Sequence, residues 1–179
     1  LKADSVYVVL VEPEYAVNMG MVARVIENFG FKHLRLVNPR AEIGIEALKL
    51  ATRGAEILRR AEIFGSLDEA LKDLDLIVGT TAVWARSRLN LLRVTVYPWE
   101  FASRASQAGG KLGILFGRES TRLRNEELRR CDMILTIPAS PAYPTLNVSV
   151  AAAIVLYELH KALKGLPSAV SPIPAAPLE

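Results

Sequence analysis

Residues 17–24, VNMGMVAR, combine residue types that can hold an anion at the start of a helix. Asn18 is of a type that caps helices, and the free N–H groups behind such a cap attract phosphate. Gly20 costs a helix about 1 kcal/mol relative to alanine, and Arg24 lies four positions later on the same helix face. One interpretation is that Gly20 leaves a concavity for a phosphate beside the Arg24 guanidinium. The other is that Asn18 only caps, Gly20 admits a neighbouring helix and Arg24 is solvated.

The composition is that of one folded domain with a tendency towards anionic partners. The 179 residues are 51% hydrophobic and 23% charged, with a formal net charge of +3, which is enough apolar residue for one sizeable core. Arginine suits phosphate, so its clusters predict a nucleic-acid track, unless they form a solvated surface paired with the neighbouring glutamates. The clusters comprise Arg53, Arg59 and Arg60; Arg86, Arg88 and Arg93; and Arg118, Arg122, Arg124, Arg129 and Arg130.

Several classes of protein do not fit the chain. The single cysteine, Cys131, excludes an internal disulfide framework, and His33 and His160 lack zinc-ligand spacing. The dinucleotide motif G-x-G-x-x-G, the P-loop and the hydrolase motif G-x-S-x-G are all absent. Neither a leader nor an apolar run of roughly 20 residues is present. We therefore expect a cytoplasmic protein with no metal site and no membrane partner.

The apolar pattern predicts an α/β fold. Five short apolar runs, starting near Val6, His33, Leu74, Lys111 and Asp132, are typical of strands buried on both faces. Helical patterns alternate with these runs, including one predicted helix over 45–58 and a last helix from about 146 to 163. The alternation predicts a mostly parallel sheet flanked by helices, with ligands bound beyond the carboxyl ends of the strands.

The carboxyl-terminal segment differs in composition from the rest. We predict a single domain over residues 1–164, followed by a proline-rich tail over 165–179 that links to a missing C-terminal extension.

Three separated segments carry a family resemblance. They are NMGMVAR at 18–24, LFGREST followed by NEEL at 115–128, and IPASPAYPTLNVSVAAAIVLYEL at 137–159. Together they resemble the three motifs of the SpoU/TrmH branch of the SPOUT methyltransferases, and within that branch they look most like the TrmJ type. Order and spacing also match, and the resemblance covers residues 6–163.

The resemblance implies both a fold and an activity. The implied fold is the SPOUT fold, with a deep trefoil knot at its carboxyl end. The implied reaction is methylation of a ribose 2′-hydroxyl in tRNA, in the anticodon loop, with S-adenosyl-L-methionine as cofactor. Relatives of this type act as homodimers, so the expected partners are tRNA and a second copy of the chain.

Site residues follow from the motifs by the same resemblance. Arg24, Asn18, Glu119 and Asn147 are the candidate catalytic residues, with Arg24 acting first as a clamp on the RNA phosphate, Glu119 holding Arg24 or a neighbouring arginine, and Asn147 capping the last helix. The candidate RNA contacts are Arg24, Arg86, Arg88 and Arg118. The candidate cofactor-binding residues are Thr80, Thr81, Ala82, Phe116, Gly117, Ile137, Pro144, Thr145 and Leu146.

Other functions remain open at this point. A ribosomal RNA 2′-O-methyltransferase of the same branch would carry identical motifs. A base methyltransferase from another SPOUT branch fits the arginine of the first motif less well. A non-catalytic RNA-binding module is the alternative from a different class, and it would fail to bind the cofactor.

Overall fold

The computed structural model describes residues 1–82 and 94–166, and its centre is a parallel β-sheet. Seven strands are hydrogen-bonded in the order β3-β2-β1-β6-β4-β7-β5, and every described pairing is parallel. The α/β class with a parallel sheet is therefore as predicted. The strands are Val6–Val11 (β1), His33–Val37 (β2), Glu62–Phe64 (β3), Leu76–Thr81 (β4), Val94–Val96 (β5), Leu112–Phe116 (β6) and Met133–Thr136 (β7).

Helices cover both faces of the sheet, because alternate residues of β1 enter different apolar clusters. Val8 and Leu10 pack into the larger cluster, with α1, α2, α3, α5 and α7, whereas Val9 and Val11 pack into a smaller cluster with α4 and α6. A strand buried on both faces needs apolar residues at every position. The helices are Ala16–Asn28 (α1), Ile45–Ala51 (α2), Ala55–Arg59 (α3), Leu67–Leu71 (α4), Pro98–Ser106 (α5), Asn125–Leu128 (α6) and Val148–Leu163 (α7).

The structure differs from the predictions at two strands and at a break within one predicted helix. All five predicted strands are present, but β3 and β5 were missed because each has only three residues and lies at an edge of the sheet. The predicted helix over 45–58 is divided into α2 and α3 by a 3₁₀ turn. At the junction Thr52 has a φ of 51°, and this left-handed conformation cannot continue an α-helix.

Helix α1 begins earlier than predicted, and the prediction that Asn18 caps it was wrong. The N-cap is Tyr15, whose side chain makes no capping hydrogen bond. Asn18 therefore lies within the first turn, which leaves its side-chain amide free to bond to other segments. The predicted cap of α7 is confirmed, since the Asn147 side chain accepts a hydrogen bond from the N–H of Ser149 at 2.9 Å.

Gly20 serves helix packing, not an open concavity. A Cβ at this position would collide with the carbonyl oxygen of Ala47 in α2 and would lie 3.0 Å from its carbonyl carbon. Helix α2 thus occupies the space that the phosphate interpretation of the first motif required. The alternative interpretation, that Gly20 admits a neighbouring helix, is the correct one.

In the ranges 1–82 and 94–166, the helices are all too short or too polar to cross a bilayer. The same residues contain no group of three or more histidine, cysteine or acidic side chains that could hold a metal ion.

Candidate active site

A cavity of about 450 Å³ opens beyond the carboxyl ends of β4, β6 and β7. Its volume lies within the usual range of small-molecule sites, roughly 300–1,000 Å³. The lining includes the apolar residues Leu135, Ile137 and Ala151, while Asn18, Glu119 and Asn147 supply polar groups at its edge. All nine of the predicted cofactor-binding residues line the cavity: Thr80, Thr81, Ala82, Phe116, Gly117, Ile137, Pro144, Thr145 and Leu146.

Three chain segments meet at the cavity for reasons of local structure. Thr80, near the end of β4, donates its hydroxyl proton to the carbonyl of Leu115 in β6 at 2.8 Å, which ties two neighbouring strand ends together. Residues 138–147, which we call the 138–147 loop, leave β7 and enter α7. Prolines at 138, 141 and 144 keep the loop from continuing as strand or helix.

Gly117 allows the segment after β6 to turn back tightly. A Cβ at Gly117 would overlap the backbone nitrogen of Leu123 and the carbonyl carbon of Arg122. Residues 118–122 form a narrow turn closed by a hydrogen bond from the N–H of Arg122 to the carbonyl of Arg118 at 2.8 Å. Glycine at 117 thus keeps this part of the cavity wall as bare backbone that a ligand can approach closely.

A chain of hydrogen bonds joins Asn18, Glu119 and Asn147, which are three of the four candidate catalytic residues. Asn18 donates through Nδ2 to Oε1 of Glu119 at 2.9 Å, and Asn147 donates through Nδ2 to Oδ1 of Asn18 at 3.1 Å. Oδ1 of Asn147 accepts from both the N–H and the hydroxyl of Ser149. Each amide group is therefore held in one orientation by its neighbours.

Glu119 is oriented by the segment that precedes α1. The backbone N–H of Glu14 donates to Oε2 of Glu119 at 2.9 Å. In return, the Glu14 carboxylate accepts hydrogen bonds from the hydroxyl and the N–H of Ser120 at 2.6 and 2.8 Å. These hydrogen bonds from Ser120 lower the pKa of Glu14 below its usual value. The reciprocal arrangement fixes the first and second motifs relative to each other.

Arg24 stands apart from this cluster. Its side chain is exposed on α1 and does not line the cavity. Within the described residues it makes no hydrogen bond or ion pair, and Glu119 is bound neither to Arg24 nor to a neighbouring arginine, the two partners predicted for it. Glu119 instead binds Asn18 and the backbone of Glu14.

Arg118, a predicted RNA contact, lines the cavity but is held by carboxylates. Its side chain is 4% exposed and forms a bidentate pair with Glu127 at 2.7 and 3.0 Å, together with an ion pair to Glu12. Hydrogen bonding to Glu127 and then to Glu12 raises the pKa of the Arg118 guanidinium. Burial raises the pKa of Glu127, but hydrogen bonds from Arg118 and the N–H of Arg124 lower it more. Arg118 is a buried structural cation with no donor to spare for a phosphate.

The other basic clusters also pair with carboxylates in part. Arg60 bonds to Glu56 at 2.7 Å, Arg124 lies 3.8 Å from Glu12, and Arg130 pairs with Asp68. These pairs agree with the alternative of a solvated, paired surface. The predicted RNA contacts Arg86 and Arg88 lie outside the described residues, as does the tail beyond residue 166.

Sequence reasoning missed six residues that line the cavity: Tyr15, Arg122, Leu135, Tyr143, Val148 and Ala151. Arg122 donates to the hydroxyl of Thr145 at 2.5 Å. It had been grouped with the other basic residues, since no local pattern distinguishes an arginine that enters a cavity from one that is solvated.

The chain belongs to the SpoU rRNA Methylase family, whose profile matches residues 5–157. The tRNA (cytidine-2′-O-)-methyltransferase TrmJ of Methanocaldococcus jannaschii is 43% identical over 86% of this chain and 66% of its own length. The tRNA (cytidine/uridine-2′-O-)-methyltransferase TrmJ of Pectobacterium atrosepticum is 37% identical over 88% of this chain and 64% of its own length. The predicted resemblance to the SpoU branch, and to TrmJ within it, is confirmed.

A solved structure agrees with the same assignment. A probable methylase family protein from Haemophilus influenzae superposes with a TM-score of 0.86 and 34% identity, over 92% of this chain and 68% of its own. The chain thus spans slightly less than two thirds of the length of the two TrmJ relatives that it matches.

Proposed function

We propose that the protein methylates a ribose 2′-hydroxyl of tRNA with S-adenosyl-L-methionine as methyl donor. The observation that carries this proposal is the cavity beyond the strand ends, with the hydrogen-bonded Asn18, Glu119 and Asn147 at its polar edge. Family membership and the tRNA 2′-O-methyltransferase names of the relatives support it. The names of both relatives include cytidine, so we propose cytidine as the methylated nucleoside. We also propose that this nucleoside lies in the anticodon loop and that the protein acts in the cytoplasm.

The cavity fits the cofactor chemically. Leu135, Ile137 and Leu146 supply apolar surface that can cover an adenine ring, and the bare backbone at Gly117 permits close approach of a polar ligand. When bound, the cofactor supplies a methyl group on a positively charged sulfur. All nine residues proposed to hold it belong to segments that meet at this cavity.

The polar cluster positions the reacting ribose. Glu119 and Asn147 fix the Asn18 amide, and each of the two asparagines has a second N–H that its described partners do not use. These two N–H groups can orient the sugar, so that its 2′-oxygen approaches the methyl carbon in line with the sulfur. With the cofactor bound, transfer of its methyl group would release the proton of the 2′-hydroxyl. We assign that proton to water or to the adjacent RNA phosphate, since a guanidinium does not serve as a base.

We further propose that two copies pair through α1 and α7. On α1, Val17 is 39% exposed and shares its outward face with Arg24; on α7, Val150 and Tyr157 are 47% and 48% exposed and lie seven residues apart on one face. The two helices pack against each other, so both can contribute to one interface. In the pair, Arg24 of one copy would act on RNA bound at the cavity of the other.

We also propose that the carboxyl-terminal part of the domain forms a trefoil knot. In its support, β6 and β7 flank β4, and the segments that follow them touch where Arg122 bonds to Thr145. The chain then passes from the 138–147 loop into α7, which packs against α1 and α5.

The proposed reaction is tested by following a labelled methyl group. The protein is incubated with methyl-labelled S-adenosyl-L-methionine and unmodified tRNA transcripts, and the RNA is digested with alkali. We expect label in alkali-resistant dinucleotides at cytidine, because a 2′-O-methyl group blocks cleavage. Label in mononucleotides would indicate base methylation and would overturn the proposal.

The family name favours one second candidate, methylation of ribosomal RNA. Ribosomal RNA transcripts are therefore assayed in parallel with tRNA. A rate at least ten times higher on ribosomal RNA would replace the tRNA assignment. No label on either RNA, together with no binding of S-adenosylhomocysteine, would favour the non-catalytic module.

Replacing Arg24 tests its role as a phosphate clamp. Arg24→Lys keeps the charge but loses the planar fork that binds phosphate in a bidentate manner. We expect kcat/KM for tRNA to fall by about 10–100-fold. The dissociation constant for S-adenosylhomocysteine should stay unchanged, because Arg24 does not line the cavity. Full activity of Arg24→Lys would contradict the clamp.

Mixed dimers test whether Arg24 acts across the interface. Arg24→Ala and Asn147→Ala subunits are each expected to be inactive alone, and they are combined by refolding a mixture. If Arg24 serves the cavity of the other copy, each mixed dimer regains one intact site and activity returns. If both residues serve the same chain, no intact site forms and the mixture stays inactive.

A further inference from the structure

Arg122 adopts a backbone conformation that disfavours any residue with a side chain. Its φ is +64°, in the left-handed region that glycine enters without steric cost. The conformation is imposed by the turn over 118–122, where the bridge between Arg118 and Arg122 closes the chain against Gly117. Glycine would satisfy this turn better, so the arginine side chain is retained at the expense of stability.

The Arg122 side chain reaches across the cavity wall to the 138–147 loop. Its Nη2 donates to Oγ1 of Thr145 at 2.5 Å, and both residues line the cavity. The loop itself is mostly exposed. Besides the bonds that Asn147 accepts from Ser149 at the start of α7, the side-chain hydrogen bonds that tie the loop to other segments include this one and the bond from Asn147 to Asn18.

Arg122 also differs from its basic neighbours in its partners. Arg118 is bound to Glu12 and Glu127, and Arg124 pairs with Glu12. In residues 1–82 and 94–166, no carboxylate pairs with Arg122, and its side-chain hydrogen bond goes to a neutral hydroxyl. Its charge therefore does not serve an ion pair, and its contact is confined to the loop that borders the cavity.

From these contacts we infer that Arg122 is a positioning residue, which holds the 138–147 loop closed over the cavity through its bond to Thr145. The closed loop keeps Pro144, Thr145 and Leu146 in place as one wall of the cavity. Loss of the bond adds a loop-ordering cost to ligand binding and so weakens it. The inference rests on the proposed function only for the identity of the ligand, the S-adenosyl cofactor.

Arg122→Gly is expected to maintain or raise the stability of the protein while it weakens ligand binding. Arg122→Gly relieves the left-handed strain, although glycine also makes the unfolded chain more flexible. We expect the melting temperature to stay the same or to rise by about 2–4 °C. The dissociation constant for S-adenosylhomocysteine should rise by about tenfold, as is typical when a hydrogen bond from a charged group is lost. A purely structural arginine would lower the melting temperature.

A double-variant cycle identifies Thr145 as the group through which Arg122 acts. Thr145→Val removes the acceptor and should weaken S-adenosylhomocysteine binding as much as Arg122→Gly does. The double variant should be no weaker than either single variant. Thr145→Ser keeps the hydroxyl and should lose less affinity than Thr145→Val. Unchanged affinity in Arg122→Gly, or affinity losses that multiply in the double variant, would overturn the inference.

Amide hydrogen exchange of the free protein separates this inference from the proposed function. In Arg122→Gly, exchange of the amides in the 138–147 loop should be at least several times faster than in the wild type, whichever ligand the cavity binds. Arg124→Ala, which removes an exposed neighbouring arginine, is the matched control and should leave the loop unchanged. If the wild type binds no S-adenosylhomocysteine, the proposed function fails, and the exchange rates alone decide the role of Arg122. Unchanged amide exchange of the 138–147 loop in Arg122→Gly would overturn the inference.

Discussion

Arg118→Met is expected to lower the free energy of unfolding by about 3–5 kcal/mol, the usual effect of removing one partner from a buried ion pair. The guanidinium is 4% exposed and neutralises both Glu12 and Glu127, whose side chains are 18% and 13% exposed. Methionine fills a similar volume but leaves two carboxylates close together in a poorly hydrated place. The turn would also lose the bond from Arg118 to the carbonyl of Arg122 at 3.0 Å. Urea denaturation followed by circular dichroism measures the change.

Two further variants make this prediction specific to the buried charges. Arg124→Met removes an exposed arginine that lies 3.8 Å from the same Glu12, and it should cost less than about 1 kcal/mol. Combining Arg118→Met with Glu12→Gln and Glu127→Gln removes the unpaired charges and should recover part of the loss. A loss below about 1 kcal/mol in Arg118→Met would show that the carboxylates are hydrated and that the network is not a structural anchor.

Gly20→Ala is expected to lower the free energy of unfolding by about 2–3 kcal/mol, as is typical of overpacking at a tight contact. Helix propensity alone predicts the opposite, a gain of about 1 kcal/mol. The contact dominates because the new methyl group would meet the backbone of Ala47, which cannot move aside as a flexible side chain would. Helices α1 and α2 would have to separate, which would also displace Asn18 from Glu119. Thermal unfolding and S-adenosylhomocysteine binding would report both effects.

Gly109→Ala is the matched control, because an added Cβ there meets no atom within 4 Å and the backbone is not left-handed. It should leave the melting temperature nearly unchanged. Equal behaviour of the two variants would mean that α2 can shift at little cost, and the first-motif glycine would then need another explanation.

The meeting of Asn18, Glu119 and Asn147 was predictable from the sequence, and the partners of the arginines were not. Asn18 follows the end of β1, Glu119 follows β6 and Asn147 follows β7, and the carboxyl ends of parallel strands share one edge of the sheet. Arg118, by contrast, meets Glu12 across 106 positions of sequence. A single sequence carries no mark of such a pair, so a buried cation and an RNA contact look alike.

Gly20 shows a similar ambiguity at the level of one residue. A glycine in a helix indicates that something approaches closely, but not whether a ligand or another helix does so. The three-residue strands β3 and β5 escaped prediction because edge strands of that length carry no apolar run, and Glu62 and Ile63 of β3 are in fact exposed. Local patterns therefore located the cavity and its residue types, whereas tertiary contacts decided which side chains face it.

The position of β6 in the sheet has a consequence for how the chain reaches this structure during synthesis. Strand β6 lies between β1 and β4 and pairs with both, yet it follows them by more than 30 residues in sequence. Until residue 116 has left the ribosome, only β1, β2 and β3 can pair, because β4 pairs with β6 and β7 and β5 pairs with β7, which is made later still. Such long-range closure slows folding and exposes strand edges in the meantime. We therefore expect nascent chains that end before β6 to depend on chaperones, and the sheet to form in one late, cooperative step.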